Sequence, residues 1–312
     1  MKTIVYAESP YQLLNALDFI ALSDYKEKKI LIRNNGNGIQ LKQFYEIVKK
    51  IEEDKISYAF LPEKGLFKSL LLLRLSFFLF LNGFKYREII LGDARSIVSR
   101  VLLPVFRLMR IKVVLVDDGL YLLTFVNRIR KCNYTVYTSL PIEKSIETFS
   151  DNKLEIINKK HLKAEMIDGN SINIIGMKLS EIGFMDEEIY LEILDKTVRE
   201  YPTATINYYP HRGESENKLR KISDQGYIIH KNNLPIEEFF LKNGAPRGIY
   251  LTFYSTALYN LSNMLDKCVF YAIEPNITFW PEKHRKGISM CYDLFRAAGI
   301  HTRQIKLGII NA

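Results

Sequence analysis

Two consecutive doubly wound α/β domains facing a cleft are the fold this sequence predicts. Short β-branched runs alternate with longer amphipathic runs from the first residues, the pattern of βαβ units feeding a mostly parallel sheet. The alternation lapses in a polar stretch around 150–170 and then resumes, which sets a boundary near residue 165 and domains at 1–165 and 166–312. A length of 312 residues, 47% hydrophobic and 25% charged, suits two cores at about 150 residues per domain.

In the first half, residues 2–7, 29–33, 56–61, 88–91 and 112–116 have the composition of buried strands, and 134–137 reads as a further one. Between the first five lie helices at 11–23, 39–53, 66–82 and 96–109, with apolar residues at helical spacing. In the second half, 171–176, 204–209, 227–230, 248–253 and 268–273 are strand-like, and 186–200, 216–223, 236–243, 256–264 and 282–298 are helical. Ligands of such Rossmann-like sheets gather beyond the carboxyl ends of the strands. Residues directly after each strand are therefore the ones to search.

Composition excludes a coiled coil, a disulfide scaffold and a disordered chain. Lys and Arg number 44 against 35 Asp and Glu, a net charge of +9, which favours an acidic partner: nucleic acid, anionic lipid, or a phosphorylated or carboxylated substrate. The Lys and Arg are scattered and no nucleic-acid motif is present, so nucleic acid is not the expected partner. Cys132, Cys268 and Cys291 are far apart and lack CxxC spacing, which argues against a disulfide framework or thiolate metal site. The start MKTIVYAESP has no signal-peptide core, and a cytoplasmic protein is expected. The segment 66–84, LFKSLLLLRLSFFLFLNGF, is strongly apolar but carries Lys68 and Arg74, and a span needs about 20 apolar residues. It reads first as a helix buried at a domain or subunit contact, which allows for a homodimer. Its second reading is peripheral contact with the inner face of the cytoplasmic membrane.

Four strand ends carry unusual polar residues. After 2–7 come Glu8-Ser9-Pro10-Tyr11-Gln12: Ser9 is a good N-cap, Pro10 suits the first helical position, and free backbone N–H groups there can meet an anion. Simple capping explains the same residues, but Gln12, polar in the first turn of an apolar helix, is read as facing the cleft. After EIIL come Gly92-Asp93-Ala94-Arg95-Ser96, where Asp93 and Arg95 form either a structural ion pair or an anchor for an anionic ligand. In VVLVDDG a buried strand runs straight into Asp117, Asp118 and Gly119. Adjacent carboxylates there repel and lose hydration, which raises the pKa of at least one toward general-base work; a capped turn with Gly119 at positive φ is the alternative. No metal site is expected, since neither His nor further carboxylates lie nearby in sequence.

The fourth place is INYYPHRGESENKLRKI, where His211, Arg212, Gly213 and Glu214 separate a strand from a helix near Ser215. His211 and Arg212 can present a proton donor and a phosphate ligand, with Glu214 beside them as a candidate substrate contact. Farther on, Glu237 follows the strand GYIIH, and Ser255-Thr256 follow GIYLTF. Two hydroxyls and free N–H groups at a helix start make a phosphate seat, and Glu237 can accept ribose hydroxyls. Each alone reads equally well as a helix cap, but recurrence at three successive strand ends points to a nucleotide.

Together these residues resemble the bacterial sialyltransferases and polysialyltransferases of the two-domain glycosyltransferase-B (GT-B) type, whose signatures are an acidic-acidic-Gly motif, a later His-Pro motif and a Ser-Ser or Ser-Thr motif. The matches are Asp117-Asp118-Gly119, His211 within YYPHRGE, and Ser255-Thr256 within FYSTALYNL, in order and at strand ends over most of the chain. The motifs are short, and specificity lies in the set. The resemblance implies an inverting transferase that moves sialic acid or a related nonulosonic acid from a CMP donor to a glycan or glycolipid acceptor, as in lipooligosaccharide or capsule, with no metal or other cofactor required. The N-terminal domain would hold the acceptor and the C-terminal domain the CMP-sugar. By similarity Asp117 or Asp118, with Asp117 favoured, is the general base. His211 stabilises or protonates the leaving phosphate, Ser255 and Thr256 bind it, and Glu237 holds the cytidine ribose. The family's His-Pro is His211-Arg212 here. Arg212 adds a phosphate or carboxylate contact, and CMP-legionaminic or CMP-pseudaminic acid would satisfy the same site. The competing readings are a GT-B transferase using another nucleotide-sugar and a non-catalytic nucleotide- or glycan-binding protein.

Overall fold

The computed structural model describes residues 2–22, 25, 27–49, 51–62, 68–92, 94, 96–120, 122–143 and 151–305. The chain divides into two compact units, Met1–Lys160 and His161–Ala312. In the first, strands β1 (Lys2–Ala7), β2 (Glu27–Asn34), β3 (Ile56–Phe60), β4 (Glu88–Leu91), β5 (Lys112–Val116), β6 (Thr135–Thr138) and β7 (Glu155–Asn158) form one sheet in the order β3-β2-β1-β4-β5-β6-β7. Every pairing is parallel. Helices α1 (Pro10–Ala21), α2 (Gly38–Val48), α3 (Lys68–Lys85), α4 (Ile97–Leu108) and α5 (Leu122–Ile129) lie between successive strands. Val5, Ala7, Ile30, Ile32, Ile90, Val114 and Val116 pack against Leu13, Ala16, Phe19 and Ile20 of α1 and Phe44 and Val48 of α2. Alternation sends Ile4 and Tyr6 to the opposite face, where they too are buried. Each such side chain contributes about 1.5–3 kcal/mol on burial, and burial on both faces is why these strands read as continuous apolar runs.

The second unit repeats the plan. Strands β8 (Met166–Ile175), β9 (Thr205–Tyr209), β10 (Ile228–Ile229), β11 (Ala245–Thr252), β12 (Val269–Pro275) and β13 (His301–Ile305) run parallel in the order β10-β9-β8-β11-β12-β13. Its helices are α6 (Glu187–Val198), α7 (Glu216–Asp224), α8 (Ile236–Asn243), α9 (Thr256–Met264) and α10 (Glu282–Ala297). Strand order reverses between β1 and β4 in one unit and between β8 and β11 in the other, the switch points where ligands of doubly wound sheets bind. Trp280 is buried edge-on to Phe253 and Tyr254, in the core of this unit.

Three elements were not expected from sequence. Helix α5 has eight residues, shorter than the window over which helical periodicity shows. Strand β7 offers only Ile156 and Ile157 as an apolar signal, and β13, HTRQI, is an edge strand held by its backbone pairing with β12. Strand β8 also begins earlier than expected, because Met166 and Ile167 pair with Ala245 and Pro246 of β11 ahead of a register shift before Ser171.

Helix α3 is buried on one side only within the chain. Leu75 and Leu79 turn inward, but Leu70, Leu73, Phe77, Leu81 and Phe84 are exposed. No helix among the described residues is long and apolar enough to cross a membrane.

Candidate active site

The carboxyl end of the first sheet is organised by Gln12. Ser9 caps α1 by accepting the Gln12 N–H at 3.2 Å, with Pro10 at the first helical position. Gln12, buried in the first turn, accepts the Glu8 N–H through Oε1 at 2.7 Å and donates through Nε2 to Asp118 Oδ1 at 2.7 Å. Since β4 lies between β1 and β5, the side chain must pass over the end of β4. Gly92 leaves that room: a Cβ there would sit 2.1 Å from Gln12 Cδ. Three strand ends are thus joined by one glutamine, whose sequence signal was its polarity among apolar neighbours.

The two carboxylates have different environments. Asp117 is 1% exposed; Oδ1 accepts from the Thr138 hydroxyl, and Oδ2 from the Ser139 N–H at 2.9 Å and the Ser139 hydroxyl at 3.2 Å. Its carbonyl accepts from Asn15 Nδ2 at 3.1 Å, and Asn15 in turn accepts from Lys159 Nζ at 2.6 Å. Burial raises the Asp117 pKa, and the bonds from Thr138 and Ser139 pull it back. Asp117 therefore ties the end of β5 to the end of β6, whereas Asp118 is half-buried and steadied by Gln12. Gly119 makes the turn at φ +88°, a conformation favoured by the lack of a Cβ.

Glu8, Arg33 and Gln40 also belong to this end of the sheet. Arg33 at the end of β2 pairs with Glu8 Oε2 at 2.6 Å, and Gln40 Nε2 donates to the Glu8 carbonyl at 2.6 Å. Glu8 Oε1 and the Tyr6 hydroxyl are buried with no hydrogen-bond partner among the described residues, and unsatisfied groups of that kind cost about 1–3 kcal/mol each. The sequence signal for Arg33 was a charge closing an apolar strand. Asp93 and Arg95 lie outside the described residues.

In the second unit β9 delivers His211 past Pro210. The His211 N–H donates to Glu214 Oε2 at 2.7 Å, and its ring Nδ1 accepts the Gly213 N–H at 3.0 Å. That bond assigns the proton of the neutral ring to Nε2. Burial, then the positive charges of Arg212, Lys178 and Lys218, hold the His211 pKa down to about 3. The ring is thus a neutral donor among cations. Lys178, exposed and running alongside Gly213, had no sequence signal.

Beneath His211 lies a closed polar network. Glu214 Oε1 accepts from the Tyr208 hydroxyl at 2.6 Å and from Lys218 Nζ at 2.8 Å. Both charged side chains are fully buried, and Lys218 Nζ also donates to the Met177 carbonyl at 3.0 Å and lies 3.7 Å from the Tyr190 ring centroid. The Tyr190 and Tyr208 hydroxyls share a bond of 2.8 Å. Glu214 thus engages the His211 backbone, whereas Arg212 is half-buried at the loop surface.

Two strands over, Ser255 caps α9 by accepting the Ala257 N–H at 3.3 Å, with Thr256 as the first helical residue. Glu237 Oε1 accepts from Asn260 Nδ2 on α9 at 2.7 Å, which brings Glu237 to the helix that Ser255 opens. Because β9, β8 and β11 are neighbours, the His211 loop and the start of α9 flank the end of β8. Among the described residues no group of three or more His, Cys, Asp or Glu is placed to hold a metal ion.

The His211 ring has a stability signature. Unfolded, it titrates near 6.5; folded, near 3. Its contribution is complete above the unfolded value. As pH falls from 6.5 toward 3 the unfolded chain takes up a proton that the folded chain refuses, and stability drops by up to about 1.4 kcal/mol per pH unit. His211→Asn is expected to flatten this acid limb in denaturant melts; parallel limbs for variant and wild type would show that the folded ring protonates freely.

No protein-family model matches the chain, and no curated protein matches it. Solved structures do. The UDP-GlcNAc 2-epimerase of Methanocaldococcus jannaschii in complex with UDP-GlcNAc and UDP is 12% identical at a TM-score of 0.57, over 87% of this chain and 83% of that one. The UDP-GlcNAc 2-epimerase of Neisseria meningitidis bound to UDP-GlcNAc is 14% identical at 0.53, over 85% and 80%. S. aureus MnaA with UDP is 11% identical at 0.52, over 88% and 79%. At these identities the likeness is one of fold: two Rossmann-like domains of the GT-B type.

Proposed function

We propose that the protein is an inverting glycosyltransferase that moves sialic acid or a related nonulosonic acid from a CMP-activated donor to a hydroxyl of a bacterial surface glycan, acting in the cytoplasm. The observation that carries the reading is His211, a neutral ring whose proton sits on Nε2, with Arg212 and Lys178 close enough to depress its pKa. A donor N–H among cations suits a phosphate oxygen gaining charge. The resemblance in the Asp117-Asp118-Gly119, His211 and Ser255-Thr256 motifs narrows the class.

In the proposed reaction the acceptor hydroxyl gives its proton to Asp118 while its oxygen bonds to the anomeric carbon. The bond from that carbon to the phosphate oxygen breaks, and CMP leaves with the electron pair. His211, Arg212, Ser255 and Thr256 meet the departing charge, and Glu237 accepts ribose hydroxyls. With a pKa near 3, His211 serves as a hydrogen-bond donor rather than as a proton source. Asp118 takes the base role because Asp117 is enclosed by Thr138 and Ser139, which leaves Asp117 as a positioning residue.

Calorimetric titration with CMP, UDP and GDP tests the donor. Selective CMP binding, weakened at least about tenfold in His211→Ala by loss of a charge-assisted bond, is the expected result. Preference for UDP, the nucleotide in the three structures above, would replace the donor with another nucleotide-sugar. Binding of none would overturn the transferase reading.

A further inference from the structure

We propose that α3 and α4 form a docking face for an anionic lipid bilayer, an inference that goes beyond the transferase reading and does not depend on it. A helix with one side packed on its own sheet ordinarily turns a polar side to water. Helix α3 does not: Leu70, Leu73, Phe77, Leu81 and Phe84 recur at spacings of three and four, share the outer face, and are 50–67% exposed. Helix α4, packed beside α3, adds Ile97, Val101 and Leu108, the last 85% exposed. Inner faces are satisfied separately, by Leu75 and Leu79 on α3 and by Val98, Leu102 and Phe106 on α4. Large apolar side chains clustered on adjacent helices mark an interaction surface, unlike singly scattered ones.

Charge says what the surface meets. Neither helix contains Asp or Glu. Exposed Arg74 and Lys85 stand on α3 and exposed Arg100 and Arg107 on α4. Helical spacing sets these cations beside the apolar stripes rather than opposite them. An apolar face bordered by cations fits a bilayer, where Leu and Phe enter the boundary between headgroups and acyl chains while Lys and Arg meet lipid phosphates. A second copy of the same face would set these cations against one another. The 18 residues of α3 would lie along the interface.

The test is co-sedimentation of the full chain with phosphatidylcholine vesicles containing phosphatidylglycerol, against vesicles of phosphatidylcholine alone. Wild type is expected to bind the mixed vesicles, less so at high salt. Leu73→Glu/Phe77→Glu is expected to lose at least about tenfold in partitioning, with an unchanged thermal melt. Leu162→Glu, at a 71% exposed apolar residue of the other unit, is expected to behave as wild type. The proposal is overturned if wild type ignores the mixed vesicles or if the double variant binds as wild type does. It is equally overturned if ultracentrifugation finds a dimer that the double variant splits, since the face would then belong to a second copy.

Discussion

Asp118→Asn is expected to lower kcat by about 10²–10⁴-fold, the range that a positioned proton acceptor supplies, with little change in affinity for CMP. Asparagine keeps the size of the side chain and its acceptor for Gln12 Nε2, but it cannot take a proton from a hydroxyl. Asp117→Asn is the matched control. Asp117 is enclosed, with both oxygens engaged by Thr138 and Ser139, so the substitution is expected to cost about 1–3 kcal/mol of stability and to leave kcat within about tenfold. Release of CMP from CMP-sialic acid with lipooligosaccharide as acceptor, alongside thermal melts, separates the two. The reverse pattern would move the base to Asp117, and full activity in both variants would remove the base from this motif.

Lys218→Met is expected to destabilise the protein by about 3–5 kcal/mol near neutral pH, because removing one member of a buried ion pair leaves the other charge uncompensated. That corresponds to a fall in Tm on the order of 10 °C. Burial pushes the Glu214 carboxyl above its usual range, and Lys218 pulls it back. Without Lys218 the downward pull is reduced to the bonds from the Tyr208 hydroxyl and the His211 N–H, and the carboxyl rises further. The folded variant then binds a proton more readily than its unfolded chain, so the deficit relative to wild type is largest above neutrality and shrinks as pH falls through the raised Glu214 pKa. Denaturant melts at pH about 8 and about 5 measure the difference. An equal deficit at both would show that Glu214 carries no charge to compensate. Because Glu214 holds the His211 backbone at 2.7 Å, CMP affinity is expected to fall in the same variant.

Legibility in the sequence followed burial. Central strands such as β1, β4 and β5 show continuous apolar runs because both of their faces are covered, and the helices between them have long enough periods to declare themselves. Strands β7 and β13 sit at sheet edges, where backbone pairing rather than side-chain burial holds them, so composition says little. At the site, Ser9, Gln12, the Asp pair, His211, Ser255 and Thr256 drew notice as polar residues directly after apolar strands. Lys218 did not, because a lysine in the charged helix ENKLRKISD reads as solvated until its packing is known.

The sequence by itself determines the two α/β halves, the positions of the central strands' ends and the residue types that stand there, since periodicity, β-branched runs and turn residues are local properties of the chain. Only the tertiary structure distinguishes Asp117 from Asp118: the difference comes from Thr138 and Ser139 at the end of β6 and from Gln12 reaching across Gly92. It alone assigns the His211 proton to Nε2, through the Gly213 N–H, and turns the apolar side of α3 outward. Each of these depends on which neighbours remove water from a group and which replace its lost hydrogen bonds, and those neighbours meet only when the strands are assembled.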